Sequence, residues 1–513
     1  MTDFLKIKLD LKEPLNLLFE NDRPDYYLTK SGFNLIKLVR RAAYPTTFFK
    51  TEGNHLRLGY GDCQENMANE YLVISYQDNS LKIKRDIFST LPIFYSFIDG
   101  RFILSNDYKW VVENTASLTL NKNHLLNLLM PNPDYHDCLF DEIKILEPQT
   151  NLLVTGKGLE LNYYKVDLSV EKSEPKQFLE VLEKSLDEFY ESRINNQKVA
   201  FEVSGGIDSS LLPLYLKDRL KGSAYLASMI FNDDFKRSQE PKLELLKEWT
   251  NLSLISTMLD KNETWPLSRF SQKPDYFYSY SEIYFECLDS LAAKLEKLGV
   301  EVVSTGLGGD ELMEGTSGNA ELTAIGEDEK KRRQKADRPP FFTNRFLSEY
   351  VESTPVSLNY RLPYLPLSLI SSQIARNNVY INRGIWPISP FANPYLVAFC
   401  WSLDDRFRVN KNILKSYYLA KDWPEIIYNP EINEHFGNFF NQSMTSLSSK
   451  KMLVKYLENL EKPLANYVIS KEALDYVLQS NSNDQKSTTY FFNLLGFLTA
   501  SINLDYYANH SRV

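Results

Sequence analysis

An apolar run, Val199-Ala-Phe-Glu-Val203, ends in Ser204-Gly205-Gly206-Ile207-Asp208-Ser209-Ser210, residue types whose spacing suits the capture of an anion. Adjacent glycines bend the chain with φ > 0 and leave no side chain between backbone N–H groups and a ligand, so a phosphate oxygen can come close. Ser204, Ser209 and Ser210 add short hydroxyl donors. A helix starting near Ser209 aims its first-turn N–H groups and positive dipole end at the same point. Ser204, Gly205, Gly206, Ile207, Asp208, Ser209 and Ser210 together read as a cradle for pyrophosphate; an ordinary strand-turn-helix with a serine cap does not account for all of them at once. Asp208 is the odd member. A carboxylate repels a polyphosphate unless a cation lies between them, which implies Mg2+. The lysine-bearing loop Gly-x-x-x-x-Gly-Lys-Ser/Thr does not occur in the chain.

A second glycine turn follows the apolar run Val300-Glu-Val-Val-Ser304: Thr305-Gly306-Leu307-Gly308-Gly309-Asp310-Glu311. Alone it is a weak signal, since any tight turn looks the same. Beside the first loop it brings backbone from Gly306, Gly308 and Gly309 toward a nucleotide and supplies Asp310 as a second carboxylate sharing metal ions with Asp208.

The elements that must position these loops are legible as periods. Residues 1–170 alternate with period two in short runs such as Tyr71–Tyr76, Leu81–Lys84, Ile93–Phe97 and Arg101–Ser105, which predicts stacked sheets and few helices. From Pro175 the spacing of Phe178, Leu182, Leu186 and Phe189 is that of one helical face. Strands at 198–203, 224–231, 252–258 and 300–304 then alternate with helices, the second ending near Gly299. This pattern predicts a doubly wound parallel α/β sheet with ligands beyond the strands' carboxyl ends. Residues 340–425 and 450–513 read as helical, and the charged run Glu327–Arg338 as a solvated loop or lid.

Composition narrows the partners. The chain of 513 residues carries 58 Lys+Arg against 67 Asp+Glu, a net charge of −9 that disfavours nucleic acid and anionic membranes. Cys63, Cys138, Cys287 and Cys400 form no close pair, so neither a disulfide framework nor a zinc knuckle is indicated. No export signal or spanning apolar run is seen, and a reduced cytoplasm is the expected location.

Ser-Gly-Gly-x-Asp-Ser followed by Gly-Leu-Gly-Gly-Asp resembles the ATP pyrophosphatase (PP-loop) domain of the asparagine synthetase-like family. Arg85-Asp-Ile-Phe-Ser-Thr-Leu-Pro92 and Leu139–Pro148 are similar to that family's amino-terminal, glutaminase-like domain, and Trp386–Lys415 to its helical segment. The resemblance implies an α/β synthetase domain at 171–513 behind a degenerate, β-rich Ntn-like sandwich at 1–170, with ATP and Mg2+ as cofactors. It further implies adenylation of a carboxylate and transfer to an amine. Glutamine-hydrolysing relatives begin Met-Cys, whereas this chain begins Met1-Thr2, so the amine comes from the substrate, as in lasso peptide cyclases and β-lactam synthetases. A lasso-type macrolactam closure is the leading expectation, with a protease and a leader-binding protein as biosynthetic partners. A small-molecule amide ligase and a lapsed nucleotide-binding scaffold are the alternatives; a tRNA-modifying enzyme is disfavoured by net charge and by the missing cysteine pair. Two positions depart from the family. Leu307 stands where a proton-accepting or amine-orienting side chain is expected, and Glu431 near the place of an oxyanion-stabilising lysine. Lys411 or Lys415 is the expected catalytic substitute, or His435 as base; Thr2 is a weak candidate nucleophile.

Overall fold

The computed structural model describes residues 5–10, 26–31, 34–39, 49–52, 55–59, 71–77, 80–88, 90–128, 138–164, 174–194, 197–220, 224–231, 236–259, 284–313, 341–352, 367–430, 439, 442–443, 446–458, 466–479, 494 and 504. Thr2, Cys63, Glu431, His435, the boundary at residue 170 and the charged run 327–338 lie outside them.

Among the described residues twelve short strands build the amino-terminal part: β1 (Leu5–Asp10), β2 (Tyr26–Ser31), β3 (Asn34–Val39), β4 (Phe49–Glu52), β5 (His55–Gly59), β6 (Tyr71–Gln77), β7 (Ser80–Arg85), β8 (Phe94–Ile98), β9 (Arg101–Ser105), β10 (Ile143–Ile145), β11 (Thr150–Thr155) and β12 (Gly158–Tyr163). They pair antiparallel in two six-stranded sheets, ordered β10-β8-β9-β1-β3-β2 and β12-β11-β7-β6-β5-β4. Leu81 and Ile83 on β7, and Leu152 and Val154 on β11, are fully buried while their neighbours are more exposed. One apolar face with period two is what a half-covered antiparallel strand requires. Two short helices, Tyr108–Asn114 and Lys122–Leu128, interrupt the strands.

The second part is a parallel sheet of β13 (Val199–Glu202), β14 (Ala224–Phe231), β15 (Ser253–Leu259), β16 (Val302–Ser304) and β17 (Trp386–Ile388), in the order β15-β14-β13-β16-β17. Helices Pro175–Phe189, Ile207–Leu216, Lys236–Thr250 and Phe285–Lys297 lie between or before its strands, and the last two pack on β14, whose residues are nearly all buried. The α/β, doubly wound expectation is met. So is the helical face of Phe178, Leu182, Leu186 and Phe189, all buried. One expectation is corrected: residues 386–388, read within a helical stretch, form the edge strand β17. Pro387 has no N–H to give a helix and biases Trp386 toward extended backbone, and an edge strand tolerates it. Among the described residues no helix is long and apolar enough to cross a membrane.

The helix Leu367–Ile381 joins the two parts. Asn377 Nδ2 donates to the Thr90 carbonyl at 2.6 Å, Asn378 Nδ2 to the Asn106 carbonyl at 3.1 Å, and Asn106 Nδ2 to Asn378 Oδ1 at 3.4 Å. The receiving loop is braced from within: Thr90 N–H donates to Asp86 Oδ2 at 3.1 Å, and buried Arg85 donates to the Leu91 carbonyl at 2.5 Å. Asn377→Ala strips a buried carbonyl of this donor and is expected to lower stability by about 1–3 kcal/mol in urea denaturation. An unchanged midpoint would mean the contact does not hold the two parts together.

Candidate functional site

Where the strand order of a parallel sheet runs outward in both directions from one pair, the loops at that pair's carboxyl ends diverge and open a crevice. Here the pair is β13 and β16, whose ends are level, Phe201 lying opposite Ser304. Both glycine turns leave the sheet at this point.

In the first turn Gly205 has φ of +89°, a conformation few side chains accept, and the helix begins at Ile207 rather than near Ser209, with Gly206 as its cap. Ser204 N–H donates to Ser209 Oγ at 3.1 Å and Gly206 N–H to Ser204 Oγ at 3.3 Å. These hydroxyls occupy amides that an anion would claim, and a hydroxyl can rotate to donate instead. The second turn fits against the first with no room for side chains. A Cβ on Gly309 would lie 2.5 Å from Asp208 Cβ and Cγ, and one on Gly306 would lie 3.0 Å from Ser209 N. Strand β17 fixes this turn from behind: Thr305 N–H donates to the Ile388 carbonyl at 2.8 Å, and the Ser389 hydroxyl to the Leu307 carbonyl.

A cavity of about 250 Å³ opens between the turns. Ser204, Gly206, Asp208, Ser209, Gly306 and Asp310 line it. Gly205, Ile207, Ser210, Gly308 and Gly309 stand behind its wall; Gly308 packs against Phe391, and Ser210 is fully buried in the helix.

Asp208 and Asp310 converge on one cation, the ammonium of Lys411, which contacts Asp208 Oδ2 and lies 2.5 Å from Asp310 Oδ1. Lys411 stands on a bend in which it and Asn410 both adopt left-handed backbone, φ +58° and +56°. Such non-glycine residues carry strain of about 1–2 kcal/mol each and need anchoring. Before the bend, buried Arg408 stacks on Trp401 at 4.7 Å; after it, Tyr418 on the helix Asn412–Ala420 donates to the Ile207 carbonyl at 2.5 Å. Neither Lys411 nor Lys415, one turn further on, is among the residues lining the cavity; Lys411 is the one in contact with both carboxylates.

Burial pushes the Asp208 carboxyl up to about 6, Lys411 pulling it down and Asp310 adding to the rise. Its other oxygen, Oδ1, is buried without a hydrogen-bond partner among the described residues. Burial works against the charge on Lys411, yet the two carboxylates outweigh it and hold the ammonium above its usual value. Two carboxylates that already share a cation, one with an unpartnered anionic oxygen, are a donor set that fits Mg2+. Among the described residues no group of three His, Cys, Asp or Glu is suited to a metal. A cation held here would complete its shell with phosphate oxygens and water.

Sequence reasoning missed a further part of the lining. Glu202, at the end of β13, pairs through Oε1 with the Arg376 guanidinium and accepts at Oε2 from the Tyr380 hydroxyl at 2.6 Å. Glu202 and Arg376 line the cavity with Leu307. The one available signal was an acid in the apolar run 199–203, since partners on a helix so distant in sequence leave no local signature.

No family model and no curated protein matches the chain. Solved structures with similarity to it include a U34-tRNA thiolase from Methanococcus maripaludis with its 4Fe–4S cluster, 14% identical over 41% of this chain and 78% of the thiolase, at a TM-score of 0.21. Another is the glutamine phosphoribosylpyrophosphate amidotransferase from B. subtilis complexed with ADP and GMP, 9% identical over 54% of this chain and 68% of that one, at a TM-score of 0.17. Scores this low carry no argument about function, which rests on the residues above.

The raised carboxyl has a measurable consequence. Asp208 has a pKa of about 6 in the fold against 3.8 for the free group, so its protonation favours the folded state fully below about pH 4, and that contribution is lost as pH rises through about 6. The difference corresponds to about 3 kcal/mol. Asp208→Asn removes the titration, so its stability relative to the unaltered protein, measured by denaturation without ligand, should rise by roughly that amount between pH 4 and pH 7. A difference independent of pH would contradict the assignment.

Proposed function

We propose that this chain is an ATP-dependent amide-forming ligase: it joins a substrate carboxylate to the α-phosphate of ATP, releases pyrophosphate and passes the acyl group to an amine. In its most specific form the reaction closes a lasso-type macrolactam, with carboxylate and amine on one peptide. The observation that carries the reading is the meeting of two glycine turns in one crevice with Asp208 and Asp310 on the same cation.

Ser204 and Ser209 hydroxyls, with the backbone of Gly206 and the first turn of the helix Ile207–Leu216, hold the leaving pyrophosphate. Asp208 and Asp310 would hold Mg2+, which supplies charge neutralisation to the leaving group when bound. Lys411, whose ammonium contacts Asp208 and Asp310, takes over a phosphate or developing oxyanion, in the role for which Glu431 is chemically unsuited. Glu202 receives the amine. Arg376 and Tyr380 occupy one position on each carboxylate oxygen and fix its orientation, while remaining lone pairs accept from an ammonium and draw off its proton. Holding both reacting groups in one cavity makes closure effectively unimolecular.

Leu307 on the cavity wall favours a second reading, a lapsed enzyme kept as a nucleotide-binding scaffold in a biosynthetic complex. One experiment separates the readings. The full chain is incubated with ATP, Mg2+ and either short peptides bearing a free amino terminus and an internal Asp or Glu, or small amino acids. AMP and pyrophosphate should appear in step with a product lighter by one water; ADP alone, or no turnover with any carboxylate, would remove the adenylation reading. A peptide product favours the cyclase, a small amide the β-lactam-type ligase, and nucleotide binding without turnover the scaffold.

Asp208→Asn should abolish pyrophosphate release. Glu202→Gln should leave pyrophosphate release measurable while slowing amide formation by about 10²–10⁴-fold. Equal losses in both steps would show that Glu202 does not act on the amine.

A further inference from the structure

Lys411 does more in this geometry than stand near the nucleotide loops. Its ammonium lies where a divalent cation shared by Asp208 and Asp310 would have to sit, and the two cannot occupy that place together. Asp208 is enclosed, with its side chain 14% exposed, whereas Asp310 is 79% exposed at the mouth, so the ammonium plugs the space between an inner and an outer carboxylate. It reaches there from a two-residue left-handed bend, Asn410-Lys411, outside regular helix and anchored on either side. The flexible four-carbon stem of lysine lets the ammonium move while this anchored backbone stays in place.

A free divalent cation entering this site must drive a partly buried ammonium away from both of its anions and offers it nothing in return. A cation arriving with a polyphosphate differs, because the phosphate oxygens give the displaced ammonium new partners a few ångströms away. Asp208 Oδ1, the carboxylate oxygen that Lys411 does not contact, is buried without a hydrogen-bond partner among the described residues.

We propose that Lys411 is the resident counter-cation of the ligand-free site, which excludes free divalent cations and makes their entry conditional on the nucleotide. The inference rests on the reading that the two glycine turns bind a polyphosphate. It makes cation and nucleotide binding mutually dependent by the same factor, as linkage demands.

The test uses the full chain and Mn2+ as the probe, with binding followed by electron paramagnetic resonance and by thermal shift. In the unaltered protein Mn2+ alone should bind at least ~10-fold more weakly than Mn2+ in the presence of ATP. In Lys411→Met, Mn2+ alone should bind ~10-fold or more tightly than to the unaltered protein and should raise the melting temperature, and the dependence on ATP should shrink correspondingly. Adding Asp310→Asn to that variant should remove the gain. Lys411→Gln, uncharged but still polar, serves if the Met variant does not fold. Mn2+ alone binding equally to unaltered and variant protein would overturn the proposal while leaving the nucleotide site intact. Failure of ATP to bind the unaltered protein with or without Mn2+ would instead remove the underlying reading of the turns, and the proposal with it.

Discussion

Two turns can come this close only because the second meets the first with Gly306 and Gly309, and the rest of the site depends on that contact. A Cβ on Gly309 would fall 2.5 Å from the Asp208 side chain, well inside van der Waals contact. Gly306 is nearly as tight against Ser209. These glycines therefore do different work from those of the first turn, which free backbone amides for a ligand. Their consequence is electrostatic. Asp208 and Asp310 are brought near enough to share one ammonium, in surroundings where burial magnifies both their repulsion and the compensating attraction.

A second constraint runs through the helix Leu367–Ile381. Arg376 and Tyr380, four residues apart, lie on one face and hold Glu202, while Asn377 and Asn378 grip the antiparallel layers. One rigid element thus carries contacts to the cavity wall and to the loop Arg85–Leu91. This gives the amino-terminal part a mechanical task that needs no nucleophile: its braced loop fixes the helix, and the helix fixes Glu202. Rotating the helix enough to lose the Asn377 bond would also move Arg376, which is adjacent on the same turn.

Much of this was legible because local rules act over short stretches. The period of two in β7, the period near 3.6 at Phe178–Phe189 and the glycine turns after β13 and β16 are each written within a dozen residues. Lys411 too was reachable, from a resemblance and the need for a cation. What remained hidden depends on distant partners. Strand β17 is three residues long and follows a helix; nothing in Trp386-Pro-Ile announces a strand until β16 lies beside it. Glu202 looked like a polar interruption of a strand because its meaning comes from Arg376 and Tyr380, far away in sequence. Ser210 shows the converse: a residue type suited to the chemistry, but fully buried in the helix Ile207–Leu216.

Two charged groups stand at the cavity. Asp208, Asp310 and Lys411 sum to one net negative charge, and Glu202 and Arg376 cancel. Under the proposed reading, a nucleotide tail bearing several negative charges would be repelled by the first of these groups, despite the amides and hydroxyls of the first turn. The site becomes attractive once two further positive charges are supplied between the carboxylates and the tail. The Glu202–Arg376 pair needs no such correction: under the proposed reading Arg376 and Tyr380 stay on the carboxylate and its remaining lone pairs accept from the amine. That difference in net charge between Asp208–Asp310–Lys411 and Glu202–Arg376 is what would let one small cavity take both a polyanion and an amine.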